Sequence, residues 1–99
     1  LVSVALNVEE GLKKTITESP DLILLDIMMP GMDGYQFLKQ LKSRKDISNI
    51  PVIILSSLSR ESDILKGLEN GADDYIIKPF SPQVLISKIK KILNSDKLK

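Results

Sequence analysis

Two stretches of the chain are apolar without a break and too short to be helices. Residues 22–25 read Leu-Ile-Leu-Leu between Asp21 and Asp26, and residues 52–55 read Val-Ile-Ile-Leu between Pro51 and Ser56. A strand with one wet face alternates in hydropathy; a strand covered on both faces does not. Such runs belong to parallel sheets sandwiched between helices, and this constrains the fold more than any other feature. Asp26 then stands where a buried strand gives way to a loop rich in glycine and proline, Ile-Met-Met-Pro-Gly-Met-Asp-Gly over 27–34. In open α/β sheets, ligands bind at the carboxyl ends of the strands. A carboxylate there suits chemistry; it equally suits capping the loop through bonds to nearby backbone N–H groups.

The rest of the chain fits the same scheme. Val2, Val4 and Leu6 fall at period two, as in a short strand over 2–6. Asn7 and Glu10 have capping-box spacing, and Val8, Leu12 and Ile16 give one apolar stripe on a helix ending near Ser19-Pro20. Asp33 and Gln36 repeat the spacing before a helix whose buried stripe is Phe37, Leu38 and Leu41, with Lys39, Gln40 and Lys42 facing water. Residues 43–49 are polar and irregular. Residues 60–70 carry Ile64, Leu65 and Leu68 at helical spacing and stop at Asn70-Gly71. A strand follows over 75–77, broken by Pro79. Ser81-Pro82 opens the last helix, with Leu85, Ile89, Ile92 and Leu93 as its stripe and Lys88, Lys90 and Lys91 on its wet side.

The order is therefore β-α-β-α-β-α-β-α, an α/β chain with a parallel sheet and helices on both faces. Right-handed crossovers put every strand's carboxyl end on one edge. Asp26, Ser56 and Lys78 each follow directly on an apolar strand, so a carboxylate, a hydroxyl and an ammonium converge on one rim.

Composition removes several chemistries. Among 99 residues there is no histidine and no cysteine, which excludes imidazole acid–base catalysis, a Ser-His-Asp triad, thiolate metal sites and disulfides. A net charge of +1 gives no field that steers the chain to nucleic acid or a membrane surface. No apolar run approaches the ~20 residues of a membrane helix, and no secretory signal is present; the expected compartment is the cytoplasm. No GxGxxG or Walker pattern follows any strand.

The trio suits transfer of a phosphoryl group to the Asp26 carboxylate. That chemistry needs positioning and charge neutralisation more than covalent help. Lys78 supplies a point charge and Ser56 a hydroxyl donor. The same spacing is also satisfied by a structural Asp–Lys ion pair, with Ser56 as a loop cap.

Three blocks together, Leu-Leu-Asp-Ile-Met-Met-Pro-Gly-Met-Asp-Gly at 24–34, Pro-Val-Ile-Ile-Leu-Ser at 51–56 and Gly-Ala-Asp-Asp-Tyr-Ile-Ile-Lys-Pro-Phe at 71–80, resemble the receiver domain of bacterial two-component response regulators. The resemblance runs through essentially the whole chain, 1–99. It implies a flavodoxin-like fold in which Asp26 is the phospho-acceptor for a histidine kinase or phosphotransfer protein. It further implies that the Met28 carbonyl helps Asp26 hold Mg²⁺, that Ser56 moves toward the phosphoryl group, and that Lys78 pairs with it. Lys78-Pro79 resembles the family's cis peptide. Tyr75 resembles the aromatic that swings inward with Ser56; read alone, it is a half-buried strand residue. Gly31, Asp33 and Gly34 are assigned to loop shape and helix capping. Partners, an output domain or a target protein, would read the face formed by residues 60–70 and 75–95, with no direct nucleic-acid or membrane contact.

The chain departs from the family pattern in one respect. A receiver begins with a further strand and helix, about 20–25 residues by usual element lengths, and that strand's end carries the acidic pair that holds Mg²⁺. Neither is present before residue 2, so the sequence reads as an N-terminally truncated receiver in which Mg²⁺ binding and phosphorylation are weak. Asp73-Asp74 precedes its strand and belongs to the opposite rim. The gap has three expected resolutions: the strand over 2–6 slides to pair with 22–25, a second copy fills the slot in a homodimer or strand-swapped oligomer, or the missing segment belongs to the molecule outside these residues. The competing function is a phosphorylation-independent interaction or oligomerisation module. A dehalogenase-like hydrolase is disfavoured, because Met28 stands where a second aspartate is needed.

Overall fold

The computed structural model describes residues 8–26 and 34–97, with side chains described over 10–26 and 34–94. The elements are α1 (Val8–Glu18), β1 (Ile23–Asp26), α2 (Gly34–Ser43), β2 (Val52–Ser56), α3 (Glu61–Glu69), β3 (Asp74–Ile77) and α4 (Pro82–Lys97). The three described strands form a parallel sheet in the order β1-β2-β3, with Ile23 opposite Val52 and Ile53 opposite Asp74. The strand expected over 2–6 lies outside the described residues, and so does the expected pairing of that strand.

β2 is the strand whose apolar run meets its expectation. Val52, Ile53 and Ile54 are each fully buried. Val52 and Ile54 join a core with Leu25, Phe37, Leu38, Leu41, Ile47, Ala72 and Tyr75. Ile53 and Ile76 are buried but stand outside that cluster, as strand alternation requires of residues on the other face. β1 is less covered than its sequence suggests: only Leu25 is buried, and Ile23, Leu24 and Asp26 are half-exposed. Among the described residues β1 is paired on one side only, whereas β2 has a neighbour on each.

Helix boundaries follow local chemistry. α1 ends where Ser19 takes a positive φ of 46° and its N–H bonds to the Thr15 carbonyl, with Pro20 unable to continue the turn. Ser81 caps α4, its Oγ accepting from the Val84 N–H at 3.2 Å, with Pro82 in the first position. α3 stops at Gly71, whose φ of 109° is left-handed. Lys42 lies against that glycine: a Cβ there would sit 2.8 Å from the Lys42 Cγ.

Several side chains depart from their expected places. Ile16, Leu65 and Leu68 are exposed at 41%, 47% and 41%, because α1 and α3 each bury only part of their apolar stripe. Leu85, Ile89, Ile92 and Leu93 on α4 are half-buried. Lys42 does not simply face water. Its ammonium donates to the carbonyls of Ser48 and Ile50, each at 3.1 Å, and lies 3.8 Å from Asp73. The segment after α2 is likewise more ordered than polar composition suggests, since it turns through 45–49 and buries Ile47 in the core.

Candidate functional site at the strand ends

The sheet register fixes which side chains meet. Asp26 ends β1 opposite Leu55, Ser56 ends β2 opposite Ile77, and Lys78 is the first residue past β3. The Lys78 N–H donates to the Ser56 carbonyl at 2.8 Å, which continues the ladder one step and aims the lysine along the rim. β1 and β3 flank β2 and so stand about 10 Å apart. A long side chain is needed to span that gap, and Lys78 does so: its ammonium reaches the Asp26 carboxylate at 2.5 Å. The ion pair therefore crosses the end of β2, where Ser56 sits. Its partners are 36% and 29% exposed, so the carboxylate is reachable from water.

Ser56 is fully buried, and its Oγ accepts from the Leu58 N–H at 3.0 Å. Tyr75 is 8% exposed, and its hydroxyl donates to the Leu58 carbonyl at 2.9 Å. One residue thus carries both contacts: the Leu58 N–H is held by Ser56, and its C=O by Tyr75. No sequence signal marks Leu58, because the contact uses its backbone. The Lys78–Pro79 peptide is cis.

α3 lies close upon this apparatus. A Cβ on Gly67 would come within 2.7 Å of Ile54 Cδ1 and 3.2 Å of Tyr75 Cδ2, so only glycine lets the helix approach. Asp73 and Asp74 lie at the other end of β3. Asp73 Oδ1 accepts from the Val52 N–H at 2.9 Å, and Asp74 pairs with Lys88 at 2.9 Å. Both are structural at that rim.

Met28 and the loop over 27–33 lie outside the described residues, as do Gly31 and Asp33. Among the described residues no group of three or more acidic side chains gathers. Mg²⁺ demands near-octahedral oxygen ligands, usually one or two carboxylates with waters. Asp26 supplies one carboxylate, one oxygen of which is engaged by Lys78. The described donor set alone does not fit the ion.

The response regulator receiver domain family matches residues 1–90. The chain belongs to that family. PhoB, the phosphate regulon transcriptional regulatory protein of Escherichia coli, is 53% identical over 74 residues, covering 75% of this chain and 32% of PhoB. PhoP, the alkaline phosphatase synthesis transcriptional regulatory protein of Bacillus subtilis, is 46% identical over 90 residues, covering 91% of this chain and 37% of PhoP. The chain thus spans about a third of the length of these relatives. Among solved structures, the BeF3-activated N-terminal receiver domain of Klebsiella pneumoniae RstA superposes with a TM-score of 0.82 at 34% identity, covering 92% of this chain and 75% of that one. The fold is the flavodoxin-like receiver fold, and the function class is phosphorylation-switched signalling in two-component systems rather than metabolic catalysis. No described helix is long and apolar enough to cross a membrane.

Proposed function

We propose that residues 1–99 act as one receiver unit that takes a phosphoryl group on Asp26 from a phosphohistidine of a kinase or phosphotransfer protein in the cytoplasm. The observation that supports this best is the Lys78–Asp26 contact across the end of β2, beside a buried serine hydroxyl. A carboxylate oxygen of Asp26 attacks phosphorus, the N–P bond of the donor breaks, and the electron pair returns to the imidazole. Lys78 neutralises charge on the transferred group. The Ser56 hydroxyl turns from the Leu58 amide to a phosphoryl oxygen.

The readout follows from the Leu58 contacts. Once Ser56 leaves the Leu58 N–H, the residues between β2 and α3 resettle, and Tyr75, bonded to the Leu58 carbonyl, resettles with them. Phosphorylation is thereby a local charge change with an effect on the 60–70 and 75–95 face. An output domain or target protein reads that face. The same rim returns the phosphoryl group to water, so the domain assists its own dephosphorylation.

The test is exposure of the protein to acetyl phosphate and, separately, to beryllofluoride. Mass spectrometry should find one added phosphoryl group on Asp26, and Asp26→Asn should abolish it. Absence of any adduct on the unmodified protein, with Asp26→Asn behaving identically, would refute the reading.

A further inference from the structure

α3 buries little of itself. Its one buried residue is Gly67, its N-cap Arg60 offers no side-chain hydrogen bond, Ile64 packs half-buried on the core, and Leu65 and Leu68 face outward. Beside Ile64, two further contacts hold its middle. Gly67 lies flush on Ile54 and the Tyr75 ring, and on the neighbouring residue the Lys66 ammonium sits 4.3 Å from the centre of the Tyr35 ring on α2. Tyr35 is unusual in a second way. Its hydroxyl is sealed from water and has no hydrogen-bond partner among the described residues.

We propose that Tyr35 is a positioning residue for α3: its ring holds Lys66 and so the helix, while its unpaired hydroxyl favours departure from that position. The two halves of one side chain act in opposite directions. A cation over an aromatic face is attractive. A buried hydroxyl with no partner carries a desolvation cost that any rearrangement giving it water or an acceptor relieves. Burial, then the charges of Tyr75 and Asp63, push the Tyr35 phenol pKa up. A shift of α3 that opens the hydroxyl to solvent breaks the Lys66 contact and satisfies Tyr35 together. Tyr35 thus both holds and loosens a helix that forms part of the face that partners read. That last consequence rests on the function proposed above; the seating of α3 does not.

The test is amide hydrogen exchange over residues 65–69 in the unphosphorylated protein. Tyr35→Phe keeps the ring and deletes the unpaired hydroxyl, so it should slow exchange by about fivefold or more, the equivalent of about 1 kcal/mol. Tyr35→Leu removes the ring and should speed exchange by about two- to fivefold. Lys66→Gln should speed it similarly when Tyr35 is present and have no effect beside Tyr35→Leu. If Tyr35→Leu fails to fold, the Tyr35→Phe and Lys66→Gln proteins carry the decision. Unchanged or faster exchange in Tyr35→Phe overturns the proposal, as does Lys66→Gln acting equally in both backgrounds. The same pattern is expected in an Asp26→Asn protein, so failure of phosphorylation at Asp26 leaves these results standing.

Discussion

Gly67→Ala sets two effects of opposite sign against each other. In an exposed helix the change stabilises by about 1 kcal/mol, because alanine loses less backbone freedom on folding. At this site the new methyl would lie 2.7 Å from Ile54 Cδ1 and 3.2 and 3.4 Å from two atoms of the Tyr75 ring. Ile54 is fully buried and Tyr75 is 8% exposed, so neither can move without displacing the core. Overpacking of a filled core costs about 1–3 kcal/mol, and a clash of this depth falls in the upper half of that range. The net is a loss of about 1–2 kcal/mol, which lowers Tm by roughly 5–15 °C for a domain of this size. Thermal unfolding followed by far-UV circular dichroism measures it. Adding Ile54→Val, which removes the clashing Cδ1, should recover part of the loss even though that change alone costs about 0.5–1.5 kcal/mol. A Tm equal to or above that of the parent, with no coupling to Ile54→Val, would show that α3 does not rest on Tyr75 as described.

Other outcomes follow from the same geometry. Lys78→Met should change stability by no more than about 1 kcal/mol, since both partners of its ion pair are partly exposed, yet it should slow phosphorylation by acetyl phosphate severely; equal labelling rates would remove Lys78 from the chemistry. Ser56→Ala leaves the Leu58 N–H without its acceptor and should cost about 1–3 kcal/mol in urea unfolding; combined with Tyr75→Phe the losses should be non-additive, because both side chains act on Leu58. Lys42→Met frees two backbone carbonyls and should destabilise by about 1–3 kcal/mol while leaving Asp26 labelling unchanged. In alkali, the Tyr35 phenol is held above its ordinary value of 10.0 when folded. Its contribution is therefore complete below the unfolded pKa and is lost as pH rises past it; Tyr35→Phe should shrink the alkaline fall in stability, as read by unfolding curves at successive pH values.

The sequence by itself determined the alternation of elements and the residues at the strand ends. Uninterrupted apolar runs mark strands, polar residues directly after them mark the rim, and caps such as Ser81-Pro82 act within a few residues of chain. Those are local facts, which is why Asp26, Ser56 and Lys78 are legible at the strand ends from the chain itself. Tertiary structure decided what distance along the chain conceals. It set Lys78 on Asp26 across 52 residues, joined Ser56 and Tyr75 through the backbone of Leu58, and turned Lys42 from a presumed surface charge into a clasp on two carbonyls. It also exposed Leu65 and Leu68 while demanding glycine between them at 67. Helical spacing tells which residues share a face, but only the packed neighbour decides how much of that face is covered.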